Sequence, residues 1–189
     1  MPLLKEWESF YVIVGSSAAA LTGLQFVAAA LIADVGAPAT SGSVDAFATP
    51  TIVHFSAALM ISAVLTAPWE MPTRLAILLT AAGAVGIGYT ILIARRAWRL
   101  TEYQPVLEDW LFHVALPAGA YTMLAIGGYL LRTTPAAGLF VVAAAVLLVL
   151  AIGIHNAWDT VTYLVLVRRH EKNAADVPSS TPDETSTTA

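Results

Sequence analysis

The stretch Thr133–Trp158 reads TTPAAGLFVVAAAVLLVLAIGIHNAW and contains no charged residue. A helix needs ~20 mainly apolar residues to cross a bilayer, so this stretch is long enough to span one. Four more uncharged stretches of similar length lie upstream. They are Phe10–Ala33, Ala46–Trp69, Leu75–Ala94 and Trp110–Leu131. The pattern predicts an all-α polytopic membrane protein, built as a bundle of five transmembrane helices.

The composition agrees with a membrane location. Charged residues are 12% of the chain and the mean hydropathy is +0.73. Globular proteins contain about 25% charged residues, so a soluble domain of this size could not keep so much apolar surface out of water. The net charge of −4 gives no basic surface, which argues against nucleic acid as a partner and leaves membrane lipids. The absence of cysteine excludes disulfides and thiolate metal sites.

The chain divides into one membrane domain and a tail. We expect residues 1–172 to form a single transmembrane domain. The fifth helical pattern continues without a Gly–Pro stop to about residue 170, which gives roughly 50 Å at ~1.5 Å per residue. This helix should therefore extend beyond the ~30 Å hydrocarbon core into the cytoplasm. Residues 173–189 are rich in Ser, Thr and Pro and predict a disordered polar tail.

The distribution of Lys and Arg predicts the orientation. With five spans, one side of the membrane holds Lys5, Arg74 and Arg132. The other side holds six basic residues: Arg95, Arg96, Arg99, Arg168, Arg169 and Lys172. Loops rich in Lys and Arg stay in the cytoplasm. The bias therefore predicts an external N-terminus and a cytoplasmic C-terminus.

Three of the four histidines are predicted to lie at the same end of the bundle. His54 is near the start of the second span, His113 near the start of the fourth and His155 near the end of the fifth. Because consecutive helices alternate in direction, all three belong to one layer near the cytoplasmic face. Asp109 precedes one histidine by four residues and Asp159 follows another by four, and positions four apart share a helix face. We therefore expect a cluster of three imidazoles and two carboxylates.

Such a cluster suggests a metal centre. Imidazoles together with carboxylates suit Zn, Fe or Mn, so His54, His113 and His155 are predicted metal ligands. Asp109 and Asp159 are predicted catalytic carboxylates, which would orient an imidazole or act as a general base. The other interpretation is structural, because a histidine in a membrane helix can simply form a hydrogen bond to a neighbouring helix. No named metal-binding motif is present to decide between them.

Four functions fit these observations. The first is a metal-dependent enzyme that acts on a lipid or other amphiphile at the inner leaflet. The second is a small transporter or channel for protons or metal ions, although the outer halves of the spans offer few polar residues beyond Ser62 and Thr66. The third is a haem protein with two histidine ligands. The fourth is a scaffold or accessory subunit that forms homo- or hetero-oligomers through small-residue faces such as Gly15, Ala19 and Gly23.

Overall fold

The fold is entirely helical in the part of the chain that the structure describes. The structure is a computed structural model that describes residues 2–34, 41–99 and 110–175, with side chains for 2–30, 50–96 and 110–162. The helices are α1 (Pro2–Glu6), α2 (Glu8–Asp34), α3 (Ser41–Thr66), α4 (Pro72–Arg99), α5 (Leu116–Leu130) and α6 (Pro135–Ala175). A π-helical turn, Leu111–Ala115, leads directly into α5. The predicted all-α class is confirmed.

Four of these helices are long and apolar enough to cross a membrane. The segments are Glu8–Ala30, Pro72–Arg96, Leu111–Leu130 and Pro135–Thr162. The apolar part of α3 that meets this test is shorter, Pro50–Thr66. The structure therefore supports a multi-pass membrane protein, whereas the count of five spans stays a prediction.

The outer surface of the bundle is apolar. Large aliphatic and aromatic side chains point outward; Val85 is 73% exposed, Phe140 67% and Ile13 65%. A soluble monomer rarely exposes so much contiguous apolar surface. In a bilayer the same surface faces hydrocarbon, and the backbone polar groups are satisfied inside the helices.

The helix α6 lies at the centre of the packing. It contacts α3 on one side and α5 on the other, while α2 packs on α3 and α4 packs on α5. Val142 and Val146 of α6 are fully buried and lie one turn apart on its core-facing side. This arrangement leaves α2 and α4 as the outermost helices and places α3, α5 and α6 around any site at the end of the bundle.

The helices approach each other closely at glycines, where no side chain lies between them. A Cβ atom on Gly83 of α4 would lie 2.5 Å from the Ala125 backbone nitrogen of α5. Gly128 of α5 is almost as close to α4, because its Cβ would lie 2.7 Å from the Thr80 nitrogen. These contacts fix how α4 and α5 are rotated relative to each other.

The small-residue face predicted on the first span is divided in the structure. A Cβ atom on Gly15 would lie 3.0 Å from Ser62 Cβ, so this glycine does contact α3. By contrast, Ala19 and Gly23 are exposed, and Gly23 has no neighbour within 4 Å. The three residues therefore do not form one packing face within the bundle, and their use in an oligomer stays a prediction.

Candidate functional site

Buried polar side chains are concentrated at one end of the bundle. Among the described side chains, the buried polar residues are Gln25, Thr51, His54, Ser62, Thr90 and Asn156. All but Ser62 lie in the helix halves nearest the predicted histidine layer. Polar groups are expensive inside a membrane and tend to mark functional sites. We refer to this end of the bundle, the end of α6 that carries His155, as the polar end.

The most buried histidine forms a hydrogen bond between two helices. His54 of α3 is only 2% exposed, and its Nδ1 lies 3.1 Å from the hydroxyl oxygen of Tyr121 on α5. A side-chain hydrogen bond between membrane helices contributes about 1 kcal/mol. The imidazole is also close enough to His113 for their charges to interact. Two of the three predicted histidines are thus neighbours.

Tyr121 is held in place from α4. Its ring covers Gly86 so closely that no side chain fits there. One turn further along α4, the Thr90 hydroxyl donates a hydrogen bond to the Gly86 carbonyl oxygen at 3.0 Å. The sequence-based prediction did not include Tyr121. Its position eight residues after His113, two turns along one helix face, is the signal that would have found it.

The third histidine is paired with its own carboxylate. His155 Nε2 lies 3.1 Å from Asp159 Oδ2, one turn along α6, and the two side chains are 26% and 51% exposed. The imidazole also stacks on Phe112, with ring centroids 3.4 Å apart and an interplanar angle of 18°. The spacing of four residues indicated this pairing. The catalytic role of Asp159 stays a prediction.

A π-helical turn places Phe112 and His113. Within the turn, the Leu116 N–H donates to the Leu111 carbonyl, five residues back. Pro117 follows at once and has no N–H, so the usual helical hydrogen bond to the His113 carbonyl cannot form. Single π-helical turns of this kind are frequent at functional sites. Here the turn brings Phe112 to α6 and His113 towards His54.

The predicted metal centre is not supported. Within the described residues, no group of three or more His, Asp or Glu side chains is close enough to hold a metal ion. His54 lies 3.1 Å from the Tyr121 hydroxyl, whereas His155 lies 3.1 Å from Asp159, so each of these two predicted ligands has its own partner. Zn, Fe or Mn bound by them together with His113 is therefore unsupported. Asp109 lies outside the described residues, and its role stays a prediction.

Comparisons with known proteins give no family for the chain. No family model matches it. Neither the curated proteins nor the solved structures contain a significant match. A function has to be inferred from the geometry of the polar end.

Proposed function

We propose that the chain is a five-span integral membrane protein whose polar end binds an amphiphile of the cytoplasmic leaflet and acts on it by acid–base chemistry. The observation that carries this proposal is the pair formed by His155 and Asp159, 3.1 Å apart and partly exposed at the end of the bundle. The proposed orientation, with an external N-terminus and a cytoplasmic C-terminus, rests on the excess of Lys and Arg at the same end.

The length of α3 supports the fifth span. Ser41–Thr66 contains 26 residues, which is about 39 Å at ~1.5 Å per residue. This exceeds the ~30 Å hydrocarbon thickness. An odd number of spans then places the two termini on opposite sides of the membrane.

The pair can act as a general base. The Asp159 carboxylate lies 3.1 Å from Nε2 of His155, so it can orient the imidazole. In this proposal the imidazole takes a proton from water, the resulting hydroxide oxygen attacks an ester or amide carbonyl, and the proton then passes to the leaving group. Such catalysis contributes about 10²–10⁴-fold in rate. Stacking on Phe112 restricts rotation of the imidazole.

The buried pair formed by His54 and Tyr121 serves to position the site. The hydrogen bond joins α3 to α5, the helix that follows the π-helical turn. Because Phe112 of that turn stacks on His155, any shift of α5 would move the imidazole as well. Both pairs would therefore affect the reaction, although only His155 and Asp159 would exchange protons with the substrate.

The distribution of polar groups favours a one-sided site over a pore. A channel needs polar groups through the whole membrane thickness. In the half of the bundle opposite the polar end, the buried polar groups of the described part include the Ser62 and Tyr11 hydroxyls, far fewer than a continuous path would need. This weakens the transporter alternative. The scaffold alternative does not account for the pair of His155 and Asp159, because a scaffold would not need it.

A lipid turnover assay tests the proposal. The protein is reconstituted in vesicles of phosphatidylethanolamine and phosphatidylglycerol, and released fatty acids and headgroups are measured by mass spectrometry. We expect turnover by the wild type and a loss of about 100-fold in His155→Ala and in Asp159→Asn. The control His170→Ala, in the far part of α6, should keep the wild-type rate. Absence of turnover, or equal rates in all four proteins, would contradict the proposal.

A further inference from the structure

One buried amide at the polar end has no hydrogen-bond partner in the protein. Asn156 of α6 is 2% exposed, and neither its nitrogen Nδ2 nor its oxygen Oδ1 meets a polar group of the described residues. Buried polar atoms are almost always paired, either with protein groups or with ordered water. A donor and an acceptor that are both left unpaired would destabilise the folded protein. The amide therefore indicates a small partner that can both accept and donate a hydrogen bond.

The position of Asn156 on α6 shows where this partner would lie. Gly153, three residues earlier, packs against the ring of Phe55 on α3. His155, one residue earlier, stacks on Phe112 of the π-helical turn. Successive helical residues are about 100° apart, so Asn156 is directed between these two contacts, about 60° from Gly153 and about 100° from His155. The amide thus faces the gap between α3 and the start of α5.

The same gap contains other polar groups. His54 crosses it from α3, with Nδ1 at 3.1 Å from the Tyr121 hydroxyl oxygen. His113 of the π-helical turn is close enough to His54 for their charges to interact. A buried water molecule typically makes about three hydrogen bonds to polar groups of this kind. Asn156 therefore faces surroundings in which a water molecule can be held.

Two prolines interrupt the helices on either side of the gap. Pro50 lies inside α3, and Pro117 follows the π-helical turn. A proline has no N–H, so the carbonyl group four residues before it loses the usual helical hydrogen bond. In membrane helices such carbonyl groups are satisfied by neighbouring side chains or by ordered water. Interruptions in both flanking helices favour a hydrated gap over a dry one.

We propose that the gap between α3, α5 and α6 binds internal water, with the Asn156 amide as both donor and acceptor. Water fits best because it supplies both hydrogen-bonding roles in the smallest volume. The site goes beyond the proposed function, since the unpaired amide needs a partner in an enzyme and in a scaffold alike. In the proposed reaction, which consumes water, the site would hold that reactant at the depth of His155.

The asparagine content of the chain allows a direct test by NMR. Asn156 and Asn173 are the only asparagines, so isotope-labelled asparagine in the Asn173→Gln protein gives the side-chain signals of Asn156 alone. The protein is studied in deuterated detergent by rotating-frame Overhauser spectroscopy. The Asn156 amide protons should show a dipolar cross peak to water, opposite in sign to a peak caused by proton exchange. Dipolar cross peaks to protein protons alone, with none to water, would overturn the proposal.

An apolar side chain of similar size provides the second test. Asn156→Leu removes the amide and displaces the water, which leaves the other polar groups of the gap unpaired. We expect the melting temperature in detergent to fall by about 2–4 °C. The control Ile152→Leu, at a position one turn earlier that is 1% exposed, should change it little because the volume is conserved.

A dry amide would give the opposite result in this second test. Leucine would then remove a destabilising group, and the melting temperature of Asn156→Leu would rise. A higher or an unchanged melting temperature would therefore contradict the water site.

The water site and the proposed function fail separately. A water cross peak at Asn156 without products in the vesicle assay would contradict the proposed function and leave the water site in place. Lipid turnover by a protein whose Asn156 amide shows no water would contradict the water site and leave the acid–base pair in place.

Discussion

At the residue scale, two glycines of α4 provide a matched test of the packing. A methyl group on Gly86 would overlap the ring of Tyr121, whereas one on Gly88 would meet nothing within 4 Å. We expect Gly86→Ala to lower the free energy of unfolding by about 1–3 kcal/mol. Gly88→Ala should be neutral or slightly stabilising, because alanine favours helix. Thermal unfolding in detergent measures both, and equal melting temperatures would contradict the contact.

The hydrogen bond between His54 and Tyr121 can be tested by removing one oxygen. Tyr121→Phe keeps the ring but leaves the buried Nδ1 without its partner at 3.1 Å. The expected loss of stability is about 1–2 kcal/mol. Tyr129→Phe is the control, since Tyr129 is 57% exposed on the same helix. If both variants unfold like the wild type, the bond does not stabilise the folded protein.

Sequence spacing predicted some of these contacts and missed others. The pair of His155 and Asp159 followed from helical geometry, because positions four apart share a face. The predicted metal centre is not supported in the described residues. Equal depth in the membrane does not fix the direction in which each imidazole points around its helix axis. That direction depends on contacts such as Tyr121 over Gly86, which hydropathy does not reveal.

At the element scale, the π-helical turn accounts for the position of Phe112. Pro117→Ala would supply the missing N–H and allow a regular helical hydrogen bond to the His113 carbonyl. We expect the turn to become α-helical and Phe112 to move away from His155. The ring-current shift of the His155 imidazole in NMR spectra should then decrease. Pro135→Ala, at the first residue of α6, is the control, and an unchanged His155 signal in Pro117→Ala would contradict this role of the proline.

At the scale of the whole molecule, the membrane class was predictable and the packing order was not. Long uncharged stretches are required by the bilayer, so their presence identifies the class. Surfaces that face lipid and surfaces that face another helix are both apolar, so the sequence carries little information on which helices are neighbours. The central position of α6 between α3 and α5 therefore emerged only from the structure.

The most direct test of the central claim is the sidedness of single cysteines. The chain has no cysteine, so Lys5→Cys, Thr134→Cys and Lys172→Cys each introduce one unique thiol. In intact cells, a membrane-impermeant maleimide should label Lys5→Cys and Thr134→Cys, and should label Lys172→Cys only after permeabilisation. This result would agree with five spans and would place the polar end in the cytoplasm. Labelling of Lys5→Cys and Lys172→Cys from the same side would contradict the odd number of spans, and the fully reversed pattern would place the polar end outside the cell.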